Sequence, residues 1–445
     1  MNTFSKIMNR PAFRALPHIQ VFDFRPIFYF IQFIIVFRNE IWNIRSLDNY
    51  FKSETNITLF QKRIFSYGVI AIKICQWISQ RIDVLGYNTI KALEIFQKSI
   101  PCPIRLPCHD DLLYKNFKYI DTYCIGSGSI SQVHKSIHKE GKHGVIKIQH
   151  KDVKNNIDKN IGWVTTIIPV INYFFPQSSV FNLKQIMSSI KLQLDYYSEV
   201  RNQLRMETIL SKLNFVIVPK IYQYSDFFIF QEMCCGLSRQ EIQDQYPEYL
   251  IDMAQKTQAA YFWMAYCGYI HTDLHDGNVF YHIDTEDDSN NKIIILDFGL
   301  VFELQQKKEN SLHIQNFRFL SNKDNKGLIS VIKSSLDHSL YSHTDLLNVH
   351  SKLDNLDLLQ TDFKNINFLE YANDILTKLY QTNAILRTPE LYCFLGLILV
   401  CREFLDFDGK PFDVFISSIN LLQNSKDPEV QNYANELSEY ISNIW

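Results

Sequence analysis

The sequence predicts an α+β fold in two lobes, a small β-rich lobe followed by a larger, mainly helical one. Short apolar segments separated by glycine-containing turns indicate strands between residues 113 and 236. Helix-like segments dominate residues 237–445. A chain of 445 residues with 46% hydrophobic residues is long and apolar enough to bury a core of this size.

The most informative motif lies in the second lobe and reads His271-Thr-Asp273-Leu-His-Asp-Gly-Asn278. An apolar strand then leads to Asp297-Phe-Gly299. An Asp, an Asn five residues later and an Asp-Phe-Gly after a strand are typical of the catalytic loop of kinases. Each piece alone also occurs in turns and helix caps, but their order favours a kinase-like bilobal fold.

The residue types in this motif predict distinct roles. Mg²⁺ prefers oxygen ligands, so Asn278 and Asp297 are the predicted metal ligands. Asp273 is the predicted base, or the group that orients an attacking hydroxyl or water. His271 is expected to hold the loop backbone rather than to perform chemistry, with a core histidine as the alternative. The cofactors expected with this set are ATP and Mg²⁺.

A phosphate loop and a lysine are predicted in the first lobe. Gly126-Ser127-Gly128-Ser129 separates two predicted strands, and glycines let backbone N–H groups approach phosphates closely. Such a turn alone is equally typical of a flexible connection. Lys147 lies in a third predicted strand, where a kinase lysine holds the α- and β-phosphates; a solvated edge lysine is the alternative.

Glu199 is the predicted partner of Lys147. It belongs to the helix-like segment Ile186–Leu213, with Asp195 and Asn202 on roughly the same face. A surface acidic stripe is the alternative. Farther along, an apolar strand ends in Glu232-Met233, which resembles the linker that hydrogen-bonds adenine in kinase folds.

The chain resembles the UbiB/ADCK family of atypical kinase-like ATPases, which is associated with ubiquinone (coenzyme Q) biosynthesis. Lys73-Ile-Cys75-Gln76 is similar to the family's Lys-x-Gly-Gln motif before the first kinase strand. The resemblance implies that Lys73 and Gln76 cover the nucleotide site and exclude peptide substrates. It extends from about residue 60 to 410 and includes Ser129-Ile-Ser-Gln132-Val-His134, Lys147-Ile-Gln149, His271 to Asn278 and Leu386-Arg-Thr-Pro389.

Three positions depart from the family pattern. Cys75 stands where the family has glycine, which argues against very close packing of that helix over the nucleotide. Gln193 replaces a glutamate expected to pair with Lys73; glutamine can accept a hydrogen bond but carries no charge. The Gly-Ser-Gly-Ser loop replaces an alanine-rich loop, which implies behaviour closer to that of a conventional kinase.

The N-terminal sequence suggests a location. Residues 1–22 contain Lys6, Arg10 and Arg14 and no acidic residue, as in a mitochondrial presequence, with a solvated leader as the alternative. The apolar run Pro26–Phe37 is shorter than the roughly 20 residues of a bilayer span, so we expect it at a membrane interface or packed on the core. The resemblance implies peripheral contact with the matrix face of the mitochondrial inner membrane, a lipid or quinone-precursor ligand, and a complex with other ubiquinone-biosynthesis proteins. A cytoplasmic location is the alternative.

Charge and cysteine content further limit the classes of protein to which the chain can belong. A net charge of −2 without a basic stripe argues against a dedicated nucleic-acid binder. The nine cysteines are scattered, which predicts neither a zinc site nor a disulfide framework and fits a reducing compartment. The expected domains are 1–50 for the leader and apolar segment, 51–112 for a helical extension, 113–236 for the β-rich lobe with a helical insertion, and 237–445 for the helical lobe.

Together these features predict an Mg·ATP-dependent ATPase or phosphotransferase of the UbiB/ADCK type. Two alternatives remain open. A nucleotide-binding scaffold without turnover is favoured by Cys75 and Gln193. A small-molecule kinase of the aminoglycoside or choline type shares the His-x-Asp-x-x-x-x-Asn pattern but lacks the helix that carries Lys73.

Overall fold

The computed structural model describes residues 35–43, 46–67, 69–79, 87–98, 110–150, 153, 190–275, 277–359, 368–403 and 411–444. The predicted leader, most of the apolar run after it and nearly all of the segment 151–189 lie outside these residues. The described part has a five-stranded sheet in its first half, helices in its second half and a helical region before the sheet. The predicted α+β, kinase-like class is therefore confirmed.

The N-terminal region is a set of short helices that pack around aromatic rings. The ring of Phe96 lies 5.1 Å from that of Phe65 and 6.4 Å from that of Phe60. Gln76 Nε2 donates a hydrogen bond of 2.5 Å to the carbonyl oxygen of Phe96, which joins the two helices that carry these residues. The helices are α1 (Arg38–Trp42), α2 (Leu47–Tyr50), α3 (Glu54–Tyr67), α4 (Val69–Ser79), α5 (Tyr87–Lys98) and α6 (Asp110–Asn116).

The five-stranded sheet is antiparallel throughout, in the order β1 (Phe117–Ser127), β2 (Ser131–His138), β3 (His143–Gln149), β6 (Phe228–Gln231) and β5 (Ile221–Tyr224). Because side chains alternate between the two faces of a strand, Ile146 and Ile148 of β3 enter an apolar cluster with Phe228 and Phe230, whereas Lys147 faces the other way.

Helix α7 (Tyr196–Leu210) packs on the face of the sheet that carries Lys147. Its residues Tyr196 and Val200 form a buried cluster with Ile229 of β6. The continuous helix predicted from residue 186 is wrong, because residues 193–195 form a turn. Asp195 caps the helix by accepting hydrogen bonds from the backbone N–H groups of Tyr197 and Ser198, so it does not lie on a shared helical face with Glu199.

The second half is built around helix α9 (Leu250–Cys267), which is buried on almost every side and is followed by Gly268 in the left-handed conformation (φ 77°). Its helices are α8 (Arg239–Gln245), α9 (Leu250–Cys267), α10 (Leu312–Ser321), α11 (Asn325–Ser334), α12 (His343–Asp354), α13 (Phe368–Thr382), α14 (Thr388–Glu403), α15 (Pro411–Gln423) and α16 (Pro428–Ile444).

Two small sheets beside α9 carry the catalytic-type motif. Strands β8 (Val279–His282) and β9 (Lys292–Ile295) form an antiparallel hairpin, and β4 (Val216–Ile217) pairs parallel with β9. Strands β7 (Tyr269–His271) and β10 (Val301–Glu303) form a second antiparallel pair. The motif residues 272–275, 277–278 and 297–299 therefore lie in the connections at the ends of these strands.

Gly236 lies where the chain passes from the sheet to the helical half. A Cβ atom at this position would lie 2.7 Å from Ile294 Cδ1, 3.1 Å from Phe280 Cβ and 3.2 Å from the carbonyl oxygen of Tyr281. The next residue, Leu237, exchanges backbone hydrogen bonds of 2.8 Å with Tyr281. The absence of a side chain thus lets the connection pack directly on the β8–β9 hairpin.

The cysteines depart from the sequence-based expectation at one place. Cys124 on β1 is disulfide-bonded, a bond that the scattered cysteine spacing did not predict. Free thiols are present at Cys75, Cys234, Cys235, Cys267 and Cys393. Within the described ranges, no helix combines the length and hydropathy needed to cross a bilayer.

Candidate active site

A buried lysine joins the two halves of the molecule. Lys147 Nζ lies 2.6 Å from Glu199 Oε1 and 3.1 Å from Asp297 Oδ2. The predicted pairing of Lys147 with Glu199 is thus present, because the capped first turn of α7 holds Glu199 over the lysine face of β3. Asp297 retains 45% exposure of its side chain, so a ligand in the cleft can reach it.

The charge states of this cluster depend on the position of the Lys147 amino group between the carboxyl groups of Glu199 and Asp297. Burial alone would lower the pKa of Lys147, but Asp297 and Glu199 outweigh it and raise that pKa above its usual value. Burial would raise the pKa of Asp297, yet Lys147 and Lys73 hold it well below its usual range. Burial raises the pKa of Glu199 to about 7 against the opposing effect of Lys147. Asp297 therefore stays ionised, whereas Glu199 titrates near neutral pH.

Lys73 brings the N-terminal helices to this cluster. Burial lowers the pKa of its amino group, while the nearby charges of Asp273 and Asp297 raise it. The hydrogen bond that Gln193 could accept from Lys73 does not form: Gln193 Oε1 is buried and has no hydrogen-bond partner among the described residues. Gln76 contacts the neighbouring helix through Phe96, as described above.

The catalytic-type loop is held by its own side chains. The backbone N–H of Asp273 donates to His271 Nδ1 at 3.2 Å, so the proton of this neutral ring lies on Nε2 and is donated to the carbonyl oxygen of Leu296 at 3.1 Å. Burial lowers the pKa of His271, in keeping with a neutral ring. His271 therefore positions the loop backbone, as the sequence predicted.

Asn278 is oriented by the same loop. Its Nδ2 donates a hydrogen bond of 2.8 Å to the carbonyl oxygen of Asp273. Because the amide nitrogen is used in this way, the side-chain oxygen Oδ1 is the atom available to a metal ion. The backbone N–H of Leu296 donates to the carbonyl oxygen of Asn278 at 2.9 Å, which fixes this residue against the strand leading to Asp297.

Asp297 adopts an uncommon backbone conformation. Its φ of 55° lies in the left-handed region, which Asp tolerates better than most residues. Gly299 N–H donates to Asp297 Oδ1 at 3.2 Å, and Asn202 Nδ2 of α7 donates to the carbonyl oxygen of Phe298 at 3.0 Å. The Asp-Phe-Gly segment is thus tied directly to the helix that carries Glu199.

The predicted phosphate loop lies at the turn between β1 and β2. Gly128 N–H donates to the carbonyl oxygen of Ser131 at 2.8 Å, and His150 Nε2 donates to the carbonyl oxygen of Gly128 at 3.1 Å. The hydroxyl oxygens of Ser127 and Ser129 are buried and have no partner within the described ranges. Neither Gly126 nor Gly128 has a positive φ, and the nearest atom to an added Cβ lies 3.8 Å away in both cases. The turn itself therefore does not require glycine.

The predicted adenine linker follows β6. The backbone N–H of Glu232 donates to the carbonyl oxygen of Lys220 at 2.8 Å, and its carboxylate accepts a hydrogen bond from the N–H of Lys220 at 3.2 Å. Met233 is 41% exposed. The role of these two residues in adenine binding stays a prediction.

The donor set fits Mg²⁺ with a phosphate ligand. Asp297 supplies a carboxylate and Asn278 an amide oxygen, and hard cations of this kind usually take one or two protein groups plus phosphate and water oxygens. Glu199 Oε2 is buried without a hydrogen-bond partner in the described part of the chain, so the site holds an unsatisfied acceptor. No group of three His, Cys, Asp or Glu residues suited to a metal ion occurs among the described residues.

Two residues at the site had no role assigned from the sequence. Tyr196 is fully buried, and its ring centroid lies 5.7 Å from Lys147 Nζ. His275 Nε2 lies 3.7 Å from Asp273 Oδ1. The position of His275 between Asp273 and Asn278 was a signal for it, whereas no local pattern pointed to Tyr196.

Comparison with known proteins identifies the family. The model of the ABC1 atypical kinase-like domain matches residues 108–332, half of the chain. The chain belongs to this family. The matched range contains the Lys147–Glu199 pair, the loop from His271 to Asn278 and the Asp-Phe-Gly segment.

Individual relatives are distant. AarF domain-containing protein kinase 1 of Xenopus laevis is 26% identical over 248 residues, which cover 52% of this chain and 46% of that protein. Probable protein kinase UbiB of Xylella fastidiosa is 23% identical over 223 residues, which cover 47% of this chain and 39% of that protein. The chain spans about half the length of the curated relatives it matches. The structure of the Rio2 kinase–ADP/Mg²⁺–phosphoaspartate complex from Chaetomium thermophilum aligns with a TM-score of 0.30 at 13% identity, covering 80% of this chain and 78% of the other.

Proposed function

We propose that the protein is an Mg·ATP-dependent ATPase or phosphotransferase. The observation that carries the proposal is the convergence of the buried pair Lys147 and Glu199 with the half-exposed Asp297, beside the loop with Asp273 and Asn278. Phosphoryl transfer depends mainly on positioned charge, and this cluster supplies both signs of charge in one cleft.

Each side chain has a defined part in this proposal. Lys147 holds the α- and β-phosphates, and Glu199 orients Lys147. Asn278 Oδ1 and the Asp297 carboxylate hold Mg²⁺, which when bound neutralises phosphate charge. Asp273 orients the attacking water or hydroxyl and accepts its proton. The turn from Gly126 to Ser129 offers N–H groups and two unpartnered hydroxyl groups to the phosphates.

The proposal extends to the role of the N-terminal helices and to the biological setting. Lys73 and Gln76 cover the cleft and exclude peptide substrates, supported by the closeness of Lys73 to the charges of Asp273 and Asp297. The acceptor is then water or a small, lipid-like molecule. The resemblance stated above supports our proposal that the protein acts in ubiquinone biosynthesis, in peripheral contact with the mitochondrial inner membrane.

The proposal is tested by measuring ATP hydrolysis by the purified chain with Mg²⁺, with and without lipid vesicles and a phenolic mimic of a quinone precursor. Turnover that rises with lipid and falls by about 10³-fold or more in Asp297→Asn is the expected result. Undiminished turnover in that variant would contradict the proposed role of Asp297 and the proposed Mg·ATP-dependent activity.

A nucleotide-binding scaffold is the second candidate function. It is favoured by Gln193, whose Oε1 is buried without a partner among the described residues and which carries no charge to balance Lys73. Mg·ATP binding without measurable hydrolysis under every condition of the same assay would favour the scaffold.

A further inference from the structure

A cavity lies among the C-terminal helices. Its volume is about 180 Å³, and its walls come from α9, α10, α11, α13 and α14, with Phe262, Phe317, Val331, Leu379 and Phe394 among the lining residues. It lies where two apolar clusters meet, since Phe262 and Val331 belong to one and Leu379 to the other. Within the described residues, its walls contain none of the side chains assigned to the nucleotide.

The chemistry of the walls favours an apolar occupant. An engineered cavity of about 150 Å³ lined by Leu, Ile and Phe stays dry and accepts benzene. The present cavity is of similar size, and its walls are mainly apolar; the polar lining residues include His313, Asn316, Ser335 and Glu390. Its His313 is neutral, because burial lowers the pKa of this ring to about 3, and its Nε2 shares a hydrogen bond of 2.8 Å with the hydroxyl of Tyr433.

One wall residue carries an unsatisfied acceptor. Glu390, in the first turn of α14, is 5% exposed and lines the cavity. Its Oε1 accepts both hydrogen bonds from Arg387, from Nε at 3.0 Å and from Nη2 at 2.6 Å. Its Oε2 is buried and has no hydrogen-bond partner in the described part of the chain. A buried acceptor of this kind is satisfied by a ligand that brings a donor.

We propose that this cavity binds a small apolar molecule with one hydroxyl group, which donates a hydrogen bond to Glu390 Oε2. A single ring or a chain of roughly six carbons fits the volume. Arg387 already balances the charge of Glu390, so a neutral hydroxyl suits the site better than an ammonium group. The site is separate from the nucleotide cleft and does not depend on the function proposed for it.

The test is calorimetric titration of the full chain, without nucleotide, with two isomers. Hexan-1-ol and 1-methoxypentane have the same atoms, but only the alcohol has a hydrogen-bond donor. We expect the alcohol to bind roughly 3- to 10-fold more tightly. In Glu390→Gln the side-chain amide nitrogen can take the place of Oε2 at the cavity. Because this N–H group donates a hydrogen bond equally well to the oxygen of the alcohol or of the ether, the two isomers should bind equally. Ala265→Leu, which fills the cavity from α9, should abolish binding of both.

Equal affinity of the wild-type chain for the two isomers would overturn the role of Glu390. Unaltered binding in Ala265→Leu, or no binding of either isomer to the wild-type chain, would overturn the site itself. Thermal unfolding followed by circular dichroism verifies that both variants fold. If Ala265→Leu does not fold, the isomer preference of Glu390→Gln decides the question, because a preference equal to that of the wild type contradicts the proposal.

Discussion

At the scale of single residues, the site depends on how strongly one lysine affects the pKa of each of two neighbouring carboxylates. Lys147 contacts both Glu199 and Asp297, but the pKa values of the two carboxyl groups shift in opposite directions. The pKa of Asp297 lies well below its usual range, whereas burial raises the pKa of Glu199 to about 7. Removing one member of a buried pair leaves an uncompensated group, so isosteric amide variants are the informative ones here.

The raised pKa of Glu199 predicts a pH-dependent stability. A carboxyl group with a raised pKa in the folded state binds its proton more tightly there than in the unfolded chain. Its stabilising contribution is fully present below the ordinary value of 4.5 and is lost as pH rises through about 7. We therefore expect the unfolding temperature of the wild type, relative to that of Glu199→Gln, to fall between pH 5 and pH 8. Asp297 remains ionised across this range. A difference that stays constant or grows with pH would contradict this account of the cluster.

Gly236 provides a steric prediction. A methyl group at this position meets Ile294 at 2.7 Å and the backbone of the β8–β9 hairpin at 3.2 Å. Gly236→Ala should destabilise the protein by about 1–3 kcal/mol, as overpacking of a close contact usually does. Urea unfolding followed by circular dichroism measures this change. An unchanged midpoint would show that the connection between the two halves packs more loosely than described.

At the scale of elements, the glycine turn between β1 and β2 can be tested for whether its glycines are needed for stability or for nucleotide binding. An added Cβ at Gly126 or Gly128 has no neighbour closer than 3.8 Å. We expect the double variant Gly126→Ala/Gly128→Ala to keep its unfolding temperature within a few degrees. Its affinity for Mg·ATP should fall, because the methyl groups keep phosphates away from the backbone N–H groups.

Isothermal titration and thermal unfolding of the same preparation measure both quantities. Gly236→Ala is the matched control, since it adds the same methyl group where space is lacking. If the double variant binds Mg·ATP as tightly as the wild type, the turn does not approach the phosphates.

The elements show what the sequence could and could not predict. The three strands around Lys147, the linker strand and the strand that leads to Asp297 were predicted from short apolar segments and turn residues. The start of α7 was misplaced because apolar periodicity continues through residues 193–195, although Asp195 had the chemistry of a helix cap. The hydrogen bond from Asn202 to Phe298 joins residues 96 positions apart, and no local pattern predicts such a contact.

At the scale of the whole molecule, the charged cluster is assembled from parts distant in the sequence. The N-terminal helices supply Lys73, the sheet supplies Lys147, α7 supplies Glu199 and the helical half supplies Asp273 and Asp297. The motifs predicted which residues would meet. The C-terminal cavity had no sequence signal, because its walls come from five helices whose packing is a tertiary property.

The central claim is that these parts form one site for Mg·ATP, and calorimetric titration of ATP with and without Mg²⁺ tests it most directly. Asp297→Asn is the decisive variant, because Asn also tolerates a positive φ and the fold is retained while the charge is lost. Asp288→Asn, in the exposed hairpin tip, is the matched control. The account predicts Mg²⁺-dependent binding that is lost in Asp297→Asn and kept in Asp288→Asn. Equally tight binding by Asp297→Asn, or wild-type binding that does not depend on Mg²⁺, would contradict it.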